Sequence, residues 1–90
     1  MNRSDIVEFI EAIGPGGDVI LADGLDEGFI GVSLEEEPPR AVYSVERCIK
    51  IFAEDMTQDE ATEHFWHNVA GHCGTGYPLY ISTPEDESPY

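Results

Sequence analysis

The chain has 90 residues, and its 41% hydrophobic share is enough for one domain with a modest core rather than a disordered acidic tail. Nineteen Asp and Glu residues stand against four Lys and Arg residues, which gives a formal net charge of −15 at pH 7. A chain this acidic repels nucleic acids and anionic membranes and is attracted to basic protein surfaces. The charge therefore excludes direct binding to nucleic acid or to a membrane, and it indicates either simple solubility or a basic protein partner.

The two cysteines, Cys48 and Cys73, are too few for a disulfide scaffold and lack the spacing of a zinc-binding pair. We expect two reduced thiols, with Cys48 acting as a small buried side chain. The N-terminus lacks the continuous apolar segment of a signal peptide, and no apolar run approaches the ~20 residues of a membrane helix. These features predict a cytoplasmic protein.

Hydrophobic periodicity and turn residues predict three helices and four strands. The helices begin after Ser4, Ser44 and Thr57, whose side chains are the predicted N-caps. The strands are predicted at residues 18–23, 29–34, 41–43 and 77–82. The order α-β-β-β-α-α-β predicts a two-layer α+β fold, with a small, mainly antiparallel sheet of three to four strands and helices on one face. Residues 1–82 are predicted to form this single domain, and residues 83–90 a disordered acidic tail.

The strands at 18–23 and 29–34 are predicted to pair as a hairpin, because turn-forming residues with two glycines separate them. Gly31, inside the second of these strands, indicates a β-bulge or a close approach of another backbone.

The helix that begins after Thr57 is the best-specified element of the chain. Thr57 and Glu60 have the spacing of a capping box, in which each side chain binds a backbone N–H of the other residue. The face predicted to be buried consists of Ala61, Phe65 and Val69. Trp66 is predicted to widen this apolar stripe on one side.

Several short motifs follow one another in a recognisable order: Asp23-Gly24 with Asp26-Glu27, Ile30-Gly31-Val32, Val42-Tyr43, Cys48, Met56-Thr57, Glu60-Ala61, Phe65-x-x-Asn68-Val69-x-Gly71, Gly76 and Pro78. In this order they resemble a family of small acidic proteins encoded by bacteriophages and related mobile elements. The resemblance spans residues 18–81 and is most specific in the motif that begins at Phe65. It implies a phage-type accessory protein in the host cytoplasm, and it implies no particular reaction.

Clustered carboxylates are the predicted partner-binding residues: Glu35, Glu36, Glu37, Glu54, Asp55, Asp59, Glu60 and Glu63. Acidic side chains three and four positions apart line one side of a helix and can imitate the phosphates that a basic surface binds. Tyr43, Tyr77, Tyr80 and Trp66 are candidate aromatic anchors where they are exposed. We therefore expect a protein without catalytic residues or a cofactor, which inhibits a basic nucleic-acid-binding host protein or a defence complex of the CRISPR or restriction type. A homodimer is also compatible with the sequence.

Three other functions remain open from the sequence. His64, His67, His72 and Cys73 carry ligand types that zinc accepts, although their spacing matches no common zinc module. The same group suggests a thiol enzyme with Cys73 as nucleophile, His72 as base and Asn68 as orienting residue. A structural phage component without an enzyme target is the third possibility.

Overall fold

The structure, a computed structural model, describes residues 2–14, 19–35, 39–69 and 77–84. These residues form three α-helices, named α1 (Arg3–Ile13), α2 (Val45–Phe52) and α3 (Gln58–Asn68). They also form three strands, named β1 (Phe29–Ser33), β2 (Arg40–Ser44) and β3 (Leu79–Ile81), and a short 3-10 helix (Asp26–Gly28). The described part of the chain is a small α+β fold with a three-stranded mixed sheet. None of its helices is long and apolar enough to cross a membrane.

The sheet has the order β1-β2-β3, and its two strand pairs run in different senses. Strand β2 pairs antiparallel with β1, with Phe29 opposite Tyr43, and parallel with β3, with Tyr43 opposite Tyr80. The prediction of a mainly antiparallel sheet is therefore wrong. A parallel pair requires a long crossover, and α2 and α3 provide it between β2 and β3. The three strands lie within two residues of their predicted boundaries.

The prediction of a strand at residues 18–23, paired with the next strand as a hairpin, is wrong for the described residues 19–23. These residues belong to no strand. Val19, Leu21 and Ala22 are instead partly buried against the core. The backbone N–H of Ala22 donates to the hydroxyl of Tyr43, over 2.9 Å. This segment is apolar because it covers the core, and a side chain rather than a neighbouring strand binds its backbone.

Gly31 lies at a β-bulge, as predicted. Phe29 pairs with Tyr43, whereas Gly31, two residues further on, pairs with the adjacent Val42, so that Ile30 is the additional residue on β1. The alternative reason for a glycine here, a close backbone approach, does not apply. A Cβ atom added to Gly31 would meet nothing within 4 Å.

Helix α1 begins two residues earlier than the sequence predicts. Its N-cap is Asn2, whose side chain accepts a hydrogen bond from the backbone N–H of Asp5 at 2.9 Å, so the prediction of Ser4 is wrong. Asn and Ser are both good N-caps, and the apolar pattern alone does not distinguish between them. Gly14 ends the helix with a left-handed φ of 81°, and its N–H donates to the carbonyl of Ile10.

The N-caps of the other two helices are those that the sequence predicts. The Ser44 hydroxyl accepts from the backbone N–H of Arg47, and α2 ends at Phe52 rather than near the predicted residue 54. Thr57 and Glu60 form both bonds of the capping box at 3.1 Å. The box fixes the start of α3 and therefore the positions of the side chains along it.

Aromatic rings form a continuous series across the sheet. Phe29, Tyr43 and Tyr80 are neighbours on adjacent strands, with ring centroids 5.7 Å apart in each pair. Phe9 of α1 contacts Phe29 at 6.1 Å, and Phe65 of α3 contacts Tyr80 at 5.4 Å. Helices α1 and α3 therefore cover the face of the sheet that carries this aromatic row. Tyr43, at the centre of the row, is fully buried.

A carboxylate connects the N-terminal turn of α2 to the segment after β3. Glu46 accepts hydrogen bonds from the Ser82 hydroxyl and, at 2.8 Å, from the backbone N–H of Thr83. The hydroxyls of Thr83 and Ser44 also share a hydrogen bond of 2.8 Å. Thr83 is the first residue of the predicted tail, whose residues 85–90 lie outside the described part of the chain.

We expect a Tyr43→Phe variant to be less stable than the parent protein. The change removes the acceptor of the Ala22 N–H, and an unpaired donor away from water costs about 1–3 kcal/mol of unfolding free energy. Tyr80→Phe is the matched control, because no described group binds the Tyr80 hydroxyl, and it should cost less than about 0.5 kcal/mol. Urea denaturation measures both values, and equal stabilities of the two variants would contradict the role of the Tyr43 hydroxyl.

We also expect the stability difference between the parent and a Glu46→Gln variant to depend on pH. Hydrogen bonds from Ser82 and Thr83 lower the pKa of Glu46 from 4.5. Its contribution is therefore present above that value and disappears as the pH falls through the lower folded-state pKa. Urea titrations should show a less stable variant at pH 7 and a smaller difference in acid. Glu8→Gln, on an exposed turn of α1, is the control, and an equal pH dependence there would refute the interpretation.

Candidate functional site

Five predicted partner-binding carboxylates lie at and after the junction of α2 and α3, and all five are exposed. Two are in the connection between the helices and three are on the first turns of α3: Glu54, Asp55, Asp59, Glu60 and Glu63. The opposite side of α3 is buried, since Ala61 and Phe65 have no exposed surface and Val69 packs against the core. This burial confirms the predicted apolar stripe and explains why the acidic side faces water.

These carboxylates have no cationic partner among the described residues. The ion pairs there are those of Arg3 with Asp23, at 3.4 Å, and with Asp26, at 3.2 Å, and both belong to the contact between α1 and the segment before β1. The acidic surface of α3 is therefore not neutralised by the described part of the chain. A large uncompensated charge attracts cations and basic surfaces over about 8–10 Å at moderate ionic strength.

Glu60 differs from the other four because its side chain forms a hydrogen bond of the capping box. One carboxylate oxygen accepts the N–H of Thr57 in the capping box. Asp59 and Glu60 are both in the first turn of α3, where negative side chains interact favourably with the positive end of the helix dipole. Part of the acidic character of this surface thus has a structural cause, and Glu60 is the residue to leave unchanged in a test of binding.

The second predicted cluster is only partly placed. Glu35 is exposed in the turn that follows β1. Glu36 and Glu37 lie outside the described residues. Glu35 is on a different element from the carboxylates of α3, and no described hydrogen bond or ion pair connects it to them. The candidate site therefore consists of the carboxylates at the helix junction.

The position of Trp66, a candidate contact residue, differs from the one that the sequence predicts. It does not widen the buried stripe: it is 54% exposed, and its ring makes an edge contact with the buried Phe65 at 5.0 Å. One turn earlier the same side of α3 carries Thr62, whose hydroxyl donates to the Gln58 carbonyl. The indole lines an open concavity of about 580 Å³ together with five neighbours on α3: Asp59, Glu60, Thr62, Glu63 and His67.

The tyrosines are less suitable as contact residues. Tyr43 is fully buried, so it does not meet the condition of exposure under which it is a candidate anchor. Tyr80 is half-buried in the aromatic row, and burial raises its pKa to about 12. Tyr77 is exposed just before β3. Trp66 is consequently the aromatic side chain that accompanies the carboxylates of α3.

The histidine–cysteine group is only half placed by the structure, because His72 and Cys73 lie outside the described residues. His64 packs its ring edge-on against Phe52 with centroids 4.5 Å apart, and the Asn68 amide donates to its Nδ1 at 3.2 Å. His67 points to the concavity that contains Trp66. Within the described residues, no three His, Cys, Asp or Glu side chains are close enough to hold a metal ion.

Cys48 has the structural role that the sequence predicts. It is fully buried, and burial raises the pKa of its thiol to about 12. The thiol is protonated at neutral pH, and a protonated thiol is a poor nucleophile. A Cβ atom added to Gly28 would lie 2.9 Å from the Cys48 sulfur, so this thiol fills the space between α2 and the 3-10 helix.

A second concavity, of about 380 Å³, lies between the segment before β1, the end of α3 and the start of β3. Its lining is mainly apolar and includes Leu21, Val69 and Tyr80. Four of the lining side chains carry polar groups: Asp23, which binds Arg3, Asn68, which binds His64, and the tyrosines Tyr77 and Tyr80. These described residues offer no pair of a nucleophile and a base.

In a Cys73→Ser variant, Cys48 is the sole thiol, so the rate at which a thiol reagent modifies the protein measures the accessibility of Cys48. We expect a disulfide reagent such as DTNB to modify it at least about 100-fold more slowly in native protein than in urea, because the thiol is protonated and reached only by local opening. Absorbance of the released chromophore measures both rates. Similar rates in the two conditions would show that Cys48 is accessible.

Comparison with protein-family models, with curated proteins and with solved structures finds no match to this chain. The resemblance of the motifs between residues 18 and 81 to small acidic phage proteins therefore stays a prediction. The exposed, unpaired carboxylates of the helix junction and the indole beside them are the strongest functional feature of the described structure.

Proposed function

We propose that the protein is a non-catalytic binding protein that occupies a basic, nucleic-acid-binding surface of another protein. The observation that carries this proposal is the exposed group of carboxylates at the α2–α3 junction, which has no cationic partner among the described residues. A basic surface that binds phosphates is complementary in charge to such a group, since each carboxylate can replace one phosphate charge.

The resemblance to small acidic phage proteins supports a more specific proposal. The partner would be a nucleic-acid-binding protein of the bacterial host or a defence complex of the CRISPR or restriction type. Occupation of its nucleic-acid channel would inhibit it without any chemical reaction. The protein would act in the host cytoplasm, bind no nucleic acid itself and need no cofactor.

The chemistry of the described residues agrees with a binding role. The Cys48 thiol is buried and protonated, and His64 is held between Phe52 and Asn68. Three of the carboxylates, Asp59, Glu60 and Glu63, are by contrast on a capped helix whose other side is buried in the core. A rigid element that presents charges at fixed spacing loses little conformational entropy when it binds.

The test compares two variants with the same net charge. The site variant combines Glu54→Gln, Asp55→Asn, Asp59→Asn and Glu63→Gln, and it leaves the Glu60 cap intact. The control variant neutralises four exposed acids on and after α1: Asp5, Glu8, Glu11 and Glu27. We expect immobilised parent protein to capture a nucleic-acid-binding protein from bacterial lysate at low salt, and added duplex DNA or RNA to release it.

The site variant should reduce this capture at least about tenfold, because several charge pairs contribute to a nucleic-acid-type interface. The control variant should retain it. Equal losses in both variants would assign the binding to net charge alone. Capture that nucleic acid does not compete would contradict the proposed mimicry, and circular dichroism of both variants verifies that the fold is intact.

A further inference from the structure

We infer that Trp66, Asp59 and Glu63 form a binding site for an arginine side chain of a protein partner. This inference rests on the proposed function and makes it more specific, since it names the side chain that the acidic surface recognises. The site is the concavity on the outer side of α3 in which the indole and both carboxylates lie. Because all three residues belong to one helix, their backbone positions are fixed relative to one another.

The exposure of Trp66 is the first observation behind this inference. Tryptophan usually hides most of its large apolar surface, and exposed tryptophans are enriched where proteins bind one another. Trp66 remains 54% exposed, and its edge contact with the buried Phe65 holds the indole in place. The ring thus presents an exposed apolar surface whose edge packs against the core.

The positions of the two carboxylates are the second observation. Glu63 precedes Trp66 by three residues and follows Asp59 by four, so all three lie along one side of α3. No described cation pairs with either carboxylate, and Arg3, the cation of the described ion pairs, is bound at Asp23 and Asp26. The other polar neighbours are Glu60, held in the capping box, Thr62, bonded within the helix, and the exposed His67.

Arginine fits this arrangement better than lysine does. Its planar guanidinium can stack on the indole while its N–H groups bind a carboxylate in a bidentate manner. Lysine offers a compact charge that satisfies the carboxylates but gains less from the ring. The site therefore adds a chemical preference to the electrostatic attraction, and it distinguishes an arginine-rich nucleic-acid-binding surface from a lysine-rich one.

The experiment titrates the full chain with two fluorescein-labelled peptides of equal charge, nona-arginine and nona-lysine, and follows anisotropy. The parent should bind nona-arginine about two- to fivefold more tightly, which is the range expected for an exposed cation–π contact. Trp66→Leu should reduce this preference by weakening nona-arginine binding more than nona-lysine binding, and the bidentate contact with a carboxylate should remain. Trp66→Phe, which keeps a ring, should retain part of the preference.

A combined Asp59→Asn and Glu63→Gln variant should weaken the binding of both peptides. The control, Glu8→Gln with Glu11→Gln on α1, also loses two charges, and it should weaken binding only by the amount that a general loss of two surface charges causes. Trp66 is the only tryptophan, so its emission should also change with nona-arginine in the parent. Equal affinities for the two peptides, or an unchanged preference in a folded Trp66→Leu variant, would overturn the inference. If the inference fails but the Trp66→Leu variant still captures the partner, the proposed function is still supported. Capture by the carboxylate variant, in contrast, tests the proposed function itself.

Discussion

The hydroxyl and ring of Tyr43 set the constraint on which the rest of the structure depends. A phenol that is fully buried must have its polar atom satisfied, and the Ala22 N–H satisfies it at 2.9 Å. The same ring contacts Phe29 on one side and Tyr80 on the other, so one side chain joins all three strands. Burial raises the pKa of Tyr43, which keeps the hydroxyl neutral.

The local elements of the fold could be read from the sequence, whereas their long-range relations could not. Thr57 and Glu60 specify their capping box within four residues, and Ser44 caps α2 in the same local way. The apolar segment around Ala22 looks like a strand because it packs against the core, and its described backbone N–H partner is Tyr43, a residue 21 positions away. Parallel pairing of β2 with β3 likewise depends on how two helices fold back, which no local pattern encodes.

The same distinction between local and long-range features applies to the candidate site. Helical spacing and the buried stripe predict that the acids of α3 face water, and the structure has them exposed. The exposure of Trp66 could not be predicted, because it depends on which neighbouring element covers the side of α3 next to Phe65. Carboxylates also separate into two groups that composition cannot distinguish: Asp26, Glu46 and Glu60 bind specific partners, whereas Glu54 and Glu63 do not.

The parallel β2–β3 pair has a consequence for how the chain folds. Residues in contact across it are as much as 37 positions apart, so the pair must close a large loop, whereas α2 and α3 need only local contacts. We therefore expect the helices to form before the three-residue strand β3 docks, and until it docks Tyr43 and Phe65 lack their contacts with Tyr80. Incompletely folded chains that expose such rings are prone to aggregate. A net charge of −15 makes such chains repel one another, so we expect the acidity of this protein to oppose aggregation while it folds.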